Sequence, residues 1–377
     1  MKILIAIDKF KSSLAAREVC DSLERGIHAA DATIEVDKTP MADGGDGSLS
    51  LLENFFDLCQ VDVDSTDPIG RPVDAHYLAD TQKNVAFVEL AIASGLALLD
   101  GNQRNPRLAS TVGTGQLIVD AIDNGARTIF LFLGGSSTVD AGIGIAHALG
   151  FRFLNSNENE MAPVGQSLGQ IASIDYSKVH AELKNVTFKI VCDVANPLHG
   201  PQGAAVVYGP QKGASPDDVH FLDNGLKHFG KVLASYQNEI ADAPDISDVP
   251  GTGAAGGIAA SLLVLTNATI VSGVEFFIDV TELEDKIKGA DLIITGEGKI
   301  DAQSLAGKVP SGVLRIANLH KKPVIAVCGD ATDNAVRDFG FSAVYTVRTK
   351  AKSLSDSIEN ANAHLFLIGQ EIAESVL

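Results

Sequence analysis

KILIAID, residues 2–8, sets five apolar residues in a row, Ile3 to Ile7, between a lysine and an aspartate. A strand with one wet face would alternate; a continuous run fits a strand covered on both faces, as in a parallel sheet. Asp8 stops the run at once, so no signal-peptide core is expected. A helix should follow, with Ser12 or Ser13 as its cap. Val19, Leu23 and Ile27, spaced four apart, would form its buried face. Runs of the same kind return near the other end: DLIIT (291–295), PVIAVC (323–328) and AVYTV (343–347). Helical stretches separate or follow them, and the last, from Ser355, offers Ile358, Ala361, Leu365, Ile368 and Ile372 to a core. Strands alternating with helices give right-handed βαβ units and a parallel sheet.

The middle of the chain has an alternation of its own. A helix over 115–124 leads to the strand TIFLFL (128–133), a glycine-rich loop and a helix over 140–150. The strand FKIVCDV (188–194), the loop NPLHGPQGA (196–204), the polar stretch ADAPDISDVPG (241–251) and a helix over 254–265 follow. The fold class expected is α/β, with two α/β domains. Both chain ends, 1–65 and 286–377, would build a discontinuous Rossmann-like parallel-sheet domain. A second α/β domain, 66–285, would be inserted in it, with the active site in the cleft between them.

Composition narrows the function. With 377 residues, 45% hydrophobic and 20% charged, the chain can bury two cores. The longest later apolar run, Ile258 to Leu265, is too short to span a bilayer. Four scattered cysteines, Cys20, Cys59, Cys192 and Cys328, show no metal-site spacing and point to reduced thiols and a cytoplasmic home. A net charge of −19 argues against nucleic acid and against anionic membrane. Any anionic substrate must then rely on local donors: helix-start amides, a few lysines or a divalent cation.

Five loops could supply them. DKFKSS (8–13) puts Asp8 at a strand end, with Lys9 and Lys11 before a helix start. MADGGDGS (41–48) brackets Gly44 and Gly45 with Asp43 and Asp46, more charge than a turn needs. GGSSTVDAG (134–142) could cradle phosphate oxygens with the Gly134 and Gly135 amides and the Ser136, Ser137 and Thr138 hydroxyls; an ordinary capped turn explains it equally well. CDVANPLHG (192–200) carries Asp193 out of an apolar strand, as a general base or a turn cap, with Asn196 and Pro197 forcing a turn. TGEGKIDAQSLAGK (295–308) gathers Gly296, Glu297, Gly298, Lys299, Asp301, Gln303 and Lys308, able to share a cation or a proton and to balance phosphate charge. GTGAAG (251–256) matches a dinucleotide fingerprint letter by letter, but no strand is expected before it, so it reads as a glycine-rich helix entry.

Together, DKFKSSLAA, PMADGGDGS, YGPQKGA, PGTGAAGG and TGEGKIDAQSLAGKVP resemble the glycerate kinase family of the bacterial glycerate pathways, in order along almost the whole chain. The family pattern has glycine where Ser12 stands. In the GGS loop Ser137 replaces alanine, Val139 replaces asparagine, losing an amide side chain, and Ala141 replaces glycine. The resemblance implies ATP-dependent, Mg²⁺-requiring phosphorylation of D-glycerate, on the 2-hydroxyl, with 3-phosphoglycerate as the alternative product. The loops themselves put Asp193, Asp8, Asp43 and Lys11 forward for catalysis, with Asp193 favoured as base because it ends an apolar strand. Lys9, Ser12, Gly44, Gly45, Asp46, Gly134, Gly135, Ser136, Thr138, Asn196, Gly253, Gly256, Gly296, Glu297, Gly298, Gln303 and Lys308 are candidates for substrate or nucleotide binding, and Asp46 and Asp301 for the metal. The partners expected are D-glycerate and ATP, and the reading admits a homodimer. An NAD-dependent oxidoreductase and a non-catalytic ligand-binding protein are the competing classes.

Overall fold

Ile3 to Ile7 do form a strand buried on both faces. In the computed structural model, which describes residues 1–377 apart from 241–245, 247–248, 302–303, 305–306, 332–339 and 377, Lys2–Ile7 lies inside a five-stranded sheet. The order across it is Ala343–Thr346, Val324–Cys328, Leu292–Gly296, Lys2–Ile7, Glu35–Lys38, and every pairing is parallel. Counted along the chain within this sheet, that is order 2-1-3-4-5, the flavodoxin-like doubly wound arrangement. The order reverses between Lys2–Ile7 and Leu292–Gly296, and ligand crevices of such sheets open at the carboxyl ends flanking that reversal.

Ile3, Ile5 and Ile7 share a core with Val19, Leu23 and Ile27 of the helix Ala16–Ala30 and with Leu365, Ile368 and Ile372 of Ala361–Val376. Each aliphatic side chain fully buried there contributes about 1.5–3 kcal/mol. The two helices approach through glycines: a Cβ on Gly26 would lie 2.0 Å from the Phe366 carbonyl oxygen. Leu4 and Ala6 are equally buried, on the face covered by Leu283–Gly289 and Val309–Leu319.

A second sheet has six strands, ordered Asn267–Val271, Thr187–Val191, Thr128–Phe132, Val85–Glu89, Pro72–Asp80, Cys59–Thr66. The first four are parallel and the last two run antiparallel as a hairpin. In the hairpin VDVDST alternates polar and apolar residues, the pattern of a strand with one wet face. Helices that include Val112–Asp123 and Ile258–Leu265 bury the sheet's apolar residues in a core of their own.

The chain divides into two compact units, Met1–Asp43 with Ser272–Leu377, and Gly44–Val271. The boundaries expected at 65/66 and 285/286 therefore move to 43/44 and 271/272. Cys59–Thr66 pairs into the second sheet, and the helices Gly273–Val280 and Leu283–Gly289 pack with Val309–Leu319 of the first unit. The expected Ser12 or Ser13 cap also shifts. Phe10 to Leu14 close a tight turn, the helix starts at Ala16, and Glu18 accepts the Ala15 amide at 2.8 Å; Ser13 Oγ instead donates to the Ile358 carbonyl. The helix expected over 140–150 begins at Ile143, because Ala141 and Gly142 hold φ of 54° and 75°. No helix among the described residues is long and apolar enough to cross a membrane.

Candidate active site

In the first unit three carboxylates meet because three neighbouring strands end together. Ile7 pairs with Gly296, and the Asp8 amide donates to the Gly296 carbonyl at 3.0 Å. Beyond Lys38 the chain stays in line, its Thr39 and Met41 amides donating to Ile5 and Ile7, which brings Asp43 to the same edge. Asp8, Asp43 and Glu297 thus stand at the carboxyl ends flanking the sheet's reversal.

Asp8 is only 6% exposed, and one of its oxygens accepts the Lys9 amide at 2.6 Å. Burial first, then the nearby charge of Asp43, pushes its carboxyl well above the usual range. Glu297 is raised by burial too. Lys308 Nζ lies 3.3 Å from Glu297 Oε2, while Oε1 is buried without a hydrogen-bond partner. Burial would pull the Lys308 ammonium down, but the carboxylates of Glu297, Asp43 and Asp301 outweigh it and hold it above the ordinary lysine range.

Around this group Lys9 is half-buried, while Lys11 and Ser12 are exposed. The turn carrying them packs against Gly298, where a Cβ would lie 3.1 Å from the Lys11 amide nitrogen. Ser12 has φ of 65°, the left-handed region where glycine is at ease. Gly296 leaves no space for a side chain, since its Cβ would fall 1.6 Å from the Val327 carbonyl oxygen. Asp301 is half-buried and its amide donates to Ser304 Oγ. Gln303 lies outside the described residues.

The second unit has its own cluster, again at strand ends, where Glu89, Phe132 and Val191 stand in register. Two stretches far apart in sequence come together here: a Cβ on Gly134 would lie 2.3 Å from the Asp46 amide nitrogen and 2.4 Å from Gly45 Cα. The unit boundary falls between Asp43 and Gly44, so MADGGDGS gives Asp43 to one unit and Gly44, Gly45 and Asp46 to the other. Glu89, which sequence reasoning missed, holds this loop by accepting the Gly47 and Leu49 amides at 2.8 and 3.2 Å. Asp46 is exposed and Gly135 lies beside it.

Beyond Gly135 the loop turns inward. Ser136, Ser137 and Thr138 are buried, and the Ser137 amide and hydroxyl both donate to the Ser94 carbonyl. Val139, where the family pattern has asparagine, is fully buried in the apolar core, and Ala141, where it has glycine, is the residue with positive φ. Asp193 follows its strand half-buried. Asn196 is occupied within its own turn: its amide nitrogen donates to the Gln202 carbonyl at 2.7 Å and its oxygen accepts the Tyr208 hydroxyl at 2.8 Å. Gly253 and Gly256 serve close backbone packing, their Cβ positions lying 2.1 Å from the carbonyl oxygens of Pro197 and Thr138. Among the described residues no strand precedes GTGAAG, which enters the helix Ile258–Leu265 through a 3₁₀ turn.

The largest omission from the sequence reading is Lys212. It is 2% exposed, and its ammonium donates to Ser136 Oγ and to the Thr138 carbonyl, both at 2.7 Å. Burial pulls its pKa down to about 7 against the opposing charge of Asp140. Asp140 is fully buried and raised by that burial, although it accepts the Thr111 amide and hydroxyl and the Gly142 amide. One signal was available: Lys212 is the sole Lys, Arg, Asp or Glu between Asp193 and Asp217.

Comparison with known proteins agrees over the full length. The sequence model of the Glycerate kinase family matches residues 3–377. A glycerate kinase of Bacillus cereus is 40% identical over 375 residues, covering 99% of this chain and 97% of its own. A glycerate 2-kinase of Escherichia coli K12 is 38% identical over 378 residues, covering 100% of this chain and 98% of its own. A crystal structure described as a glycerate kinase 2 from Salmonella typhimurium LT2 superposes with a TM-score of 0.81 at 37% identity, over 100% of this chain and 98% of that one.

Proposed function

The chain belongs to the glycerate kinase family and is a phosphotransferase with an alcohol group as acceptor, and from that premise we propose that it converts ATP and D-glycerate to ADP and 2-phospho-D-glycerate. The 2-position is supported by the relative from Escherichia coli, a glycerate 2-kinase. In this reading the glycerate 2-hydroxyl oxygen bonds to the γ-phosphorus, the bond from that phosphorus to the β–γ bridging oxygen breaks, and the hydroxyl proton passes to a carboxylate. Such a transfer needs positioning and charge neutralisation more than covalent chemistry.

The observation that carries the reading is the buried Asp8 beside Asp43, Glu297 and Lys308 at the sheet's reversal. Asp8 suits the base better than Asp193, which the sequence favoured. It is nearly sealed from water and its proton affinity is raised, the tuning a general base requires. Asp193 is then left to orient substrate. Lys308 would meet transferred phosphoryl charge, and the Gly134–Ser136 loop against Asp46 would hold an anionic oxygen of nucleotide or glycerate. Lys9, Lys11 and Ser12 would line the same edge as Asp8.

The chemistry that Mg²⁺ would supply, held by one or two carboxylates, is neutralisation of phosphate charge. Among the described residues no three His, Cys, Asp or Glu side chains converge as a metal cage. Magnesium usually takes one or two carboxylates and fills its shell with water and phosphate oxygens. Within its own unit each of two carboxylates would meet that more modest demand: Asp46, exposed beside Gly135, in one, or Asp301, half-buried near Lys308, in the other. We place the protein in the cytoplasm, where its four free cysteines would stay reduced. The test is phosphorus NMR of the product after incubation with Mg-ATP and D-glycerate. 2-Phosphoglycerate supports the assignment, 3-phosphoglycerate moves the position, and ADP formation indifferent to glycerate refutes the reading.

A further inference from the structure

Lys212 lies at the end of a short turn, Pro210–Lys212, behind the Gly134–Thr138 loop. Taking an ammonium out of water costs several kcal/mol, and an apolar side chain of similar size would fill the space without that cost. The charge must therefore be matched by what it holds. Two of its three protons go to Ser136 Oγ and to the Thr138 carbonyl, the residues on either side of Ser137. Ser137 is itself tied to the Ser94 carbonyl by amide and hydroxyl, so the segment is clamped from two directions.

The direction of these bonds matters. In its charged form Lys212 can only donate, so Ser136 Oγ then accepts from it and the hydroxyl's own proton points elsewhere. The Gly135 carbonyl is also taken, by the Leu96 amide at 2.8 Å, and the exposed Asp46 carboxylate lies beside Gly135. Asp140 is the charged group acting on Lys212, but its carboxylate is already engaged by Thr111 and Gly142.

We propose that Lys212 is a positioning residue for the reaction: by donating to Ser136 Oγ and the Thr138 carbonyl it turns the Ser136 hydroxyl outward as a donor and sets a positive charge behind it, for a carboxylate or phosphate oxygen of a substrate. This rests on the reading that the Gly134–Ser136 loop binds such an oxygen. Burial lowers the Lys212 pKa to about 7, and an anion in front of Ser136 would favour its charged, donating form.

Steady-state kinetics of the full chain with Lys212→Met, Ser136→Ala and the double variant, each confirmed folded by circular dichroism, separate the possibilities. Losing a hydrogen bond to a charged ligand should raise one substrate's KM by about ten- to a hundredfold in each single variant, with the other KM little changed. A rise for glycerate names a carboxylate and a rise for ATP a phosphate. The double variant should be no worse than Lys212→Met alone, since both changes act through one hydroxyl. Effects that simply multiply, or a folded Lys212→Met with both KM values unchanged, overturn the inference. If Ser136→Ala is silent toward both substrates while Lys212→Met is not, the loop reading fails, and the inference with it.

Discussion

Replacing Asp8 with asparagine should make the protein inactive and more stable at once. The new side chain would keep an oxygen for the Lys9 amide, a bond of 2.6 Å in the parent, and would lose the charge and the proton affinity. A positioned general base contributes about 10²- to 10⁴-fold, so kcat should fall by that order, with nucleotide affinity largely kept. The stability change follows from the direction of the shift. The folded-state pKa of Asp8 is raised, so folded protein holds a proton that unfolded protein has lost over the interval between the two values. Its contribution is fully present below the unfolded value of about 4 and is lost as pH rises through the folded one. Above the folded value the parent carries the whole cost of a buried charge, and the asparagine variant carries none. Each unit of raised pKa corresponds to about 1.4 kcal/mol, or roughly 3–6 °C in Tm for a domain of this size.

The assay is thermal unfolding of both proteins from pH 4 to pH 8, beside initial rates of ADP formation over the same range. The variant's advantage in Tm should shrink steadily as pH falls. The parent's rate should have an acid limb lying above the ordinary carboxylate range. An Asp8→Asn protein that keeps turnover within about tenfold of the parent would falsify the assignment. So would a stability difference that ignores pH. If instead Asp193→Asn abolishes turnover while Asp8→Asn does not, the base is Asp193 and Asp8 is a structural acid.

Lys308→Met should lower kcat/KM by about 2–4 kcal/mol of transition-state binding, whereas Lys11→Met, at an exposed site, should cost about 1 kcal/mol or less; equal effects in steady-state kinetics would undo the distinction. ADP formation should require added glycerate and stop on chelation of divalent cations, and a chelator-resistant rate speaks against Mg²⁺. Ser12→Gly should stabilise by about 0.5–1 kcal/mol, the relief of a left-handed backbone less the flexibility glycine adds. Urea unfolding checks it, and a destabilised variant would mean that the serine side chain holds the turn.

How much of this was legible in the sequence depends on which interactions are local. Ile3 to Ile7 and the matching runs near 291, 323 and 343 specify a parallel sheet, because only strands covered on both faces can be apolar throughout. The hairpin Cys59–Asp80 went unread. Its alternation is clear in VDVDST, but nothing in a single sequence says which sheet will take an edge strand, and so the domain boundary was set too late. Single positions were legible where the chain departs from its family's pattern. Ser12 and Ala141 replace glycines, and both adopt positive φ, a backbone demand that outlives the glycine which normally meets it. The Ser12 or Ser13 cap was misplaced because serine signals a cap without saying how many residues of turn come first. Lys212 and Glu89 were hidden for a different reason. Their partners lie 76 and 42 residues away, and a charge becomes informative only once burial is known.

The charge of −19 posed a difficulty for a protein that must bind polyanions, and the way each unit treats its lysines answers it. At physiological ionic strength a surface charge is screened beyond about 8 Å, so most of that excess is not felt by a ligand seated at the strand ends. What the ligand meets is short-range, where two unit charges 4 Å apart still interact by about 4 kcal/mol in surroundings of intermediate polarity. In the first unit Lys308 is kept charged by the carboxylates around it, so Glu297 and Asp43 help to hold a cation ready for phosphate as well as repelling an anion. In the second unit burial lowers the Lys212 pKa to about 7 even though the charge of Asp140 opposes it. One lysine is thus held above the ordinary range and the other below it. On the proposed roles the first would meet phosphate charge during the transfer, and the second would act through the Ser136 hydroxyl.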